Sequence, residues 1–203
     1  MCIRDSRYHI SQISSASSVE IIRERKNKVN FSCGVSINNL SLNENDIGDF
    51  KTFLKLSPPL RTEEDRNALV QGLVDETIDV IVSDHKPEDE ENKRLTFAQA
   101  ETGASGIETL LPLSLELYHN GSVNLETIIK ALTSSPAKIL KINKGNLSIG
   151  NDADFCIVDI NKPWVVRKEK LISKSKNTPI EDKKLQGKVM NTFVNGEELF
   201  KAE

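Results

Sequence analysis

The sequence has 203 residues, of which 37% are hydrophobic and 28% charged, with a formal net charge of -3. This is a lean but globular composition, suited to one domain or one domain plus a small appendage. There is no long basic stripe and no apolar run near the ~20 residues that span a bilayer, so a nucleic-acid or membrane partner has little support. Cys2, Cys33 and Cys156 show neither disulfide nor metal-ligand spacing, and the odd count favours reduced thiols and a cytoplasmic setting.

Residues 1–6 form a short polar stub with no signal-peptide character. The strand-like pattern at Arg7 suggests a chain that starts inside a domain. Tyr8 to Ile13 reads as a strand. Ser17 is the expected cap of a helix carrying Val19, Ile21 and Ile22 and ending in the charged run 23–28. Phe31 to Ile37 reads as a second strand with Gly34 inside it, and Asn38 to Asp49 as a polar loop with a short helix. Ser57-Pro58-Pro59-Leu60-Arg61 breaks regular structure. Thr62-Glu63-Glu64-Asp65 resembles a capping box, with Asp65 in place of the usual longer acid. Ala68, Leu69, Leu73 and Val74 then share one helical face. Val80-Ile81-Val82 is an apolar run fit for a buried parallel strand.

Residues 85–94 read as a charged, solvated loop. A helix is predicted over Ile107 to His119 despite Pro112, followed by helices over Leu125–Leu132 and Pro136–Leu140. After Lys144 the pattern changes to short β segments: Asn146 to Gly150, Asp154 to Asp159, Trp164 to Val166 and Lys188 to Leu199. A hairpin turn is expected at Val194-Asn195-Gly196-Glu197. The alternation before residue 142 implies about three β/α units of a parallel sheet. That is too few to close an eight-stranded barrel of ~250 residues. The division expected is a stub at 1–6, a partial barrel at 7–142 and a small β domain at 143–203.

Asp84 is the sharpest chemical feature. It follows the buried run 80–82, at the strand end where α/β enzymes gather their active sites. A carboxylate there can bind a metal or move a proton; the alternative is an Asp that only opens the next loop. Of the three histidines, His85 is the best site candidate. His9 reads as a strand-packing residue and His119 as a surface residue near a helix end. Cys33 reads as inert core, Trp164 as an anchor of the β segment and residues 168–184 as a solvated lysine-rich loop.

The order of motifs resembles the dihydroorotase family. The resemblance is carried by Tyr8-His9-Ile10-Ser11-Gln12-Ile13-Ser14, by Ser57-Pro58-Pro59-Leu60-Arg61 with Glu64-Asp65-Arg66, and by Ser83-Asp84-His85-Lys86-Pro87. Further matches are Gly106 to Leu113, Gly150 to Asp154, Ser175-Lys176-Asn177-Thr178-Pro179 and Val194-Asn195-Gly196. They run in order from about Arg7 to about Leu199, although hydantoinases and allantoinases share several of them. The resemblance implies the C-terminal part of a (β/α)8 TIM-like metal-dependent hydrolase barrel followed by a small β-rich domain. It also implies zinc as cofactor and a reversible ring closure of carbamoyl aspartate to dihydroorotate in pyrimidine synthesis.

Carried over residue by residue, the resemblance makes Asp84 the catalytic and metal-binding carboxylate. It puts Gln12 where the family has a histidine ligand and Asn38-Asn39 where it has paired histidines. The family's substrate contacts fall on Ser57, Glu88, Thr102 and Gly103, with Glu88 replacing a histidine that holds the substrate carboxylate. The expectation is therefore a degenerate metal site in which zinc is weak or absent. Three readings stay open: a dihydroorotase, a non-catalytic homologue acting as structural partner of aspartate transcarbamoylase, and a related cyclic amidase. A homo-oligomer is one expected form, because helices facing missing strands would expose Leu110, Leu113 and Leu117.

Overall fold

A computed structural model describes residues 7–202; the stub and Cys2 lie outside them. The first half is built from β/α units. Strand β1 (Tyr8–Ile13) leads to α1 (Ala16–Arg25), β2 (Phe31–Ser36), α2 (Ile37–Ser41), α3 (Glu63–Val74) and β3 (Val80–Val82). The strands lie parallel in the order β1-β2-β3, as strand–helix alternation requires. Gly34 in β2 permits close strand approach: a Cβ there would stand 2.6 Å from the Ser11 carbonyl oxygen and 2.9 Å from Val80 Cγ2.

The caps differ in detail from the sequence reading. Ser15, not Ser17, caps α1 by accepting the Ser18 amide. Being extended (φ −130°), it has the backbone geometry a cap needs. Thr62 caps α3 by accepting the Asp65 amide, but the return half of the box is absent. Asp65 instead accepts the amide of Ala16 at 2.7 Å and the Thr62 hydroxyl at 2.9 Å, so its carboxylate ties α3 to the start of α1. β2 ends at Ser36, one residue early, because Ile37 begins α2 and carries Asn38 and Asn39 into the interior on a helix rather than a loop.

Beyond β3 come α4 (Glu90–Arg94), α5 (Leu110–His119), α6 (Leu125–Leu132) and α7 (Ser134–Leu140). The predicted loop 85–94 thus contains a helical turn, and Lys93 in it is buried. α5 starts three residues later than predicted, which places Pro112 in its first turn, where a missing amide proton costs no helical hydrogen bond. Leu113 and Leu117 are buried and Leu110 packs against the core. The expected exposed leucine face does not exist: α5 turns it inward against α2 and strand β5 (Lys184–Val194).

The tail is an antiparallel sheet in the order β4-β5-β6, with β4 at Phe155–Val165 and β6 at Glu197–Lys201. The two segments expected at 154–159 and 164–166 are one irregular strand, bulged between Asp159 and Pro163. Residues 146–150 form irregular chain ending in a turn at 149–150 rather than a strand. Leu171 and Ile180 from the predicted solvated loop join Val166 and Leu185 in one core with the β/α units. No helix among the described residues is long and apolar enough to cross a membrane.

Candidate functional site

The parallel order puts the C-terminal ends of β1, β2 and β3 side by side, and the site is built there. Gln12, near the end of β1, reaches past β2 to donate from Nε2 to Asp84 Oδ1 at 2.9 Å. Asp84 sits just after β3 in left-handed backbone (φ 48°). Asp tolerates that conformation better than most residues, and strained residues of this kind collect at functional sites. Burial pushes the Asp84 carboxyl above the ordinary carboxylate value, while the Gln12 amide and the Lys86 ammonium pull it back. The net direction is upward, so desolvation outweighs both.

His85 faces the next loop. Its Nδ1 accepts the amides of Gly106 and Ile107 at 3.2 and 3.4 Å, which commits that lone pair and leaves the proton of the neutral ring on Nε2. His9 is exposed and bonds Ser32, so it does not pack inside. His119 bonds the Ile160 carbonyl oxygen at 2.9 Å. Cys33 is fully buried, and burial first, then Asp79, pushes its thiol up to about 11, as an inert core thiol should be. Trp164 donates to the Gly187 carbonyl oxygen within the tail.

The loop expected to be solvated closes the site from the tail. Asn177 is buried and engages both atoms of its amide. Nδ2 donates to the Gly103 carbonyl oxygen at 3.1 Å, while Oδ1 accepts the Glu88 amide at 3.4 Å and the Ser175 hydroxyl. The Asn177 carbonyl oxygen accepts the Ser105 amide at 3.1 Å. Glu108 holds the same loop through the amides of Ile172 and Ser173. A cleft of about 850 Å³ lies between this loop and residues 85–90, lined by His85, Pro87, Glu88 and Lys174 among others.

Of the predicted substrate contacts, Glu88 lines the cleft and Gly103 is tied to the same Asn177 amide, with Thr102 next to it in the chain, whereas Ser57 is exposed. Gly103 donates its amide to Lys55 and has φ 135°, which a side chain rarely adopts. Asn38 is buried with neither amide atom partnered; Asn39 donates to the Pro59 carbonyl oxygen and leaves its Oδ1 unpartnered. Asn177 and Lys93 carried no weight of their own in the sequence reading. Asn177 lay inside a quoted motif, which was the available signal; nothing local announced the burial of Lys93.

The resemblance implies zinc, and a zinc site takes three or four protein donors. Among the described residues no three His, Cys, Asp or Glu side chains converge. Gln12 turns its N–H toward Asp84, and the Nδ1 lone pair of His85 is occupied. These residues by themselves do not fit a resident zinc.

Three parallel β/α units with a carboxylate at a strand end match part of a barrel-type hydrolase fold, and comparison with known proteins places the chain in a family. A model of the amidohydrolase family matches residues 2–199, and the chain belongs to that family. It is 41% identical over 201 residues to the dihydroorotase of Ehrlichia canis, a match covering 98% of this chain and 45% of that protein. The dihydroorotase of Acetivibrio thermocellus is 40% identical over 190 residues, with 93% and 45% covered. The chain thus spans about 45% of the length of these curated relatives. Among solved structures, the L-hydantoinase of Arthrobacter aurescens superposes with a TM-score of 0.90 at 27% identity, over 95% of this chain and 44% of that one. The inactive dihydroorotase-like domain of the CAD-like multifunctional protein of Chaetomium thermophilum superposes with a TM-score of 0.72 at 21% identity, over 96% and 51%. That last likeness is one of fold.

Proposed function

We propose that this chain is part of a dihydroorotase-type protein whose metal position is degenerate. The observation that carries the reading is the Gln12 Nε2–Asp84 Oδ1 hydrogen bond. It joins the two positions where the resemblance expects a ligand pair, and an amide N–H donating to that carboxylate supports a reading in which the two do not share a cation. In the family, zinc supplies the activated water. In this chain Asp84 would hold or move the proton, its carboxyl biased toward the protonated form by burial. The backbone at Thr102 and Gly103 would meet the ring amide, with Asn177 fixing the Gly103 carbonyl oxygen. Pyrimidine synthesis and a small cyclic amide as substrate follow from the relatives' name.

A second reading, a non-catalytic structural partner of aspartate transcarbamoylase, is favoured by a specific observation. Asn38 replaces an expected ligand with a buried amide that has no partner. The Chaetomium thermophilum neighbour is itself named inactive and sits in a multifunctional protein.

The deciding experiment is zinc content after dialysis together with dihydroorotate turnover, on the whole protein that carries this chain. Sub-stoichiometric zinc and poor turnover are expected. Tightly bound stoichiometric zinc with ordinary turnover overturns the degenerate-site reading. An inactive protein that co-purifies with aspartate transcarbamoylase and stabilises it selects the second reading.

A further inference from the structure

Three lysines surround the loop that follows Asp84, and they differ in what their ammonium groups do. Lys93 is buried and spends its ammonium on the carbonyl oxygens of Thr52 and Glu101, at 3.2 and 2.6 Å. Lys55 spends its own on the carbonyl oxygens of Ala98 and Ala100. Lys86 is exposed, donates only to the Thr102 hydroxyl at 3.1 Å, and has no carboxylate within ion-pair distance among the described residues. Its stem lies along Gly103: a Cβ there would stand 2.9 Å from both Lys86 Cγ and Cδ, and 2.6 Å from the Lys86 carbonyl oxygen. The absent side chain at Gly103 is what lets Lys86 lie across the loop and present its ammonium beside Thr102. The same ammonium acts on the Asp84 carboxyl. Glu88, where the resemblance expects a histidine for the substrate carboxylate, lines the cleft and raises the affinity of buried Lys93 for its proton without forming an ion pair within 4 Å among the described residues.

We propose that Lys86, paired with the Thr102 hydroxyl on the Gly103 cradle, is the specificity-determining cation of this site and binds the carboxylate of an anionic cyclic amide. This rests on the dihydroorotase-type reading for the ring, but the charge argument depends on Lys86 alone. An ammonium with an unused donor capacity next to a hydroxyl can hold a carboxylate by charge-assisted hydrogen bonds. Removing it removes affinity for the anion and leaves affinity for the neutral ring unchanged.

The test compares binding of L-dihydroorotate and of 5,6-dihydrouracil, the same ring without the carboxylate, to the 203-residue chain by isotope-edited NMR titration. Lys86→Met keeps the stem and removes the charge; Lys86→Arg keeps the charge; thermal melts of both confirm folding. The expected result is roughly tenfold weaker dihydroorotate binding in Lys86→Met, with dihydrouracil unaffected. Lys86→Arg should restore most of the loss, and added salt should erase the preference for the anion. An unchanged preference in Lys86→Met overturns the proposal, and so does the absence of any binding to the unsubstituted chain. Turnover is read separately: Lys86-dependent dihydroorotate binding without turnover sinks the catalytic reading and leaves this one standing.

Discussion

At the scale of single residues, the site is governed by desolvation. The Asp84 carboxyl is raised above its unfolded value by burial, so the folded state holds this proton more tightly. Its contribution to stability is complete below the unfolded value near 3.8 and is lost as pH rises through the higher folded value. An Asp84→Asn substitution keeps an acceptor for Gln12 Nε2 and removes the buried charge. It should raise the Tm at pH 7 and flatten the dependence of Tm on pH above the unfolded carboxyl value; a lower Tm at pH 7 would contradict this. Lys93 runs the other way. Burial first lowers its ammonium to about 8, with Lys55 and Lys86 adding to the effect and Glu88 and Glu101 opposing it. A ¹³Cε titration of Lys93 should therefore show a midpoint near 8, and Glu88→Gln should move it lower still. A midpoint near the ordinary lysine value of ~10.4 would mean that Lys93 is solvated. Gln12 was visible in the sequence as a departure from a motif. Its partner was not, because a hydrogen bond spanning 72 residues leaves no mark in local spacing.

At the scale of elements, the strands and longer helices follow from pattern. The apolar run 80–82 reports burial on both faces, and the face of Leu69 and Leu73 reports burial on one. The pattern is silent where a loop is buried by another loop. Residues 171–178 are rich in lysine and read as solvated, yet Leu171, Asn177 and Thr178 are buried. They are held by Glu108 and by the Asn177 amide. Replacing Asn177 by Ala leaves the Gly103 carbonyl oxygen and the Glu88 amide without their partner. Each unsatisfied buried group costs ~1–3 kcal/mol, so a loss of roughly 2–6 kcal/mol is expected in denaturant melts. Amide exchange should accelerate across 85–88, 102–106 and 171–178 while β1 and β2 stay protected. Uniform acceleration through the whole chain would show instead that Asn177 acts on global stability alone.

At the scale of the whole molecule, three parallel strands make a sheet in which β1 and β3 each pair only with β2 among the described strands. Unpaired strand edges are templates for association. Ile107, Ile172 and Phe200 add exposed apolar surface beside the Trp164 groove. Light scattering after size exclusion should find self-association that grows with concentration; a monomer at all concentrations would show that the edges are protected in solution. The order of strands and helices and the strand-end carboxylate at Asp84 were legible in the sequence alone, because they rest on local periodicity and on residue identity. That 12, 38 and 39 carry amides where imidazoles are expected was implied by the resemblance. Tertiary structure alone decided that Gln12 engages Asp84, that Glu88 acts on the charge of a buried Lys93, that Lys86 lies along Gly103 and reaches the Thr102 hydroxyl, and that the tail packs its loop onto the site. Those outcomes depend on which distant surfaces exclude water from one another, and desolvation is a property of the packed molecule rather than of any segment.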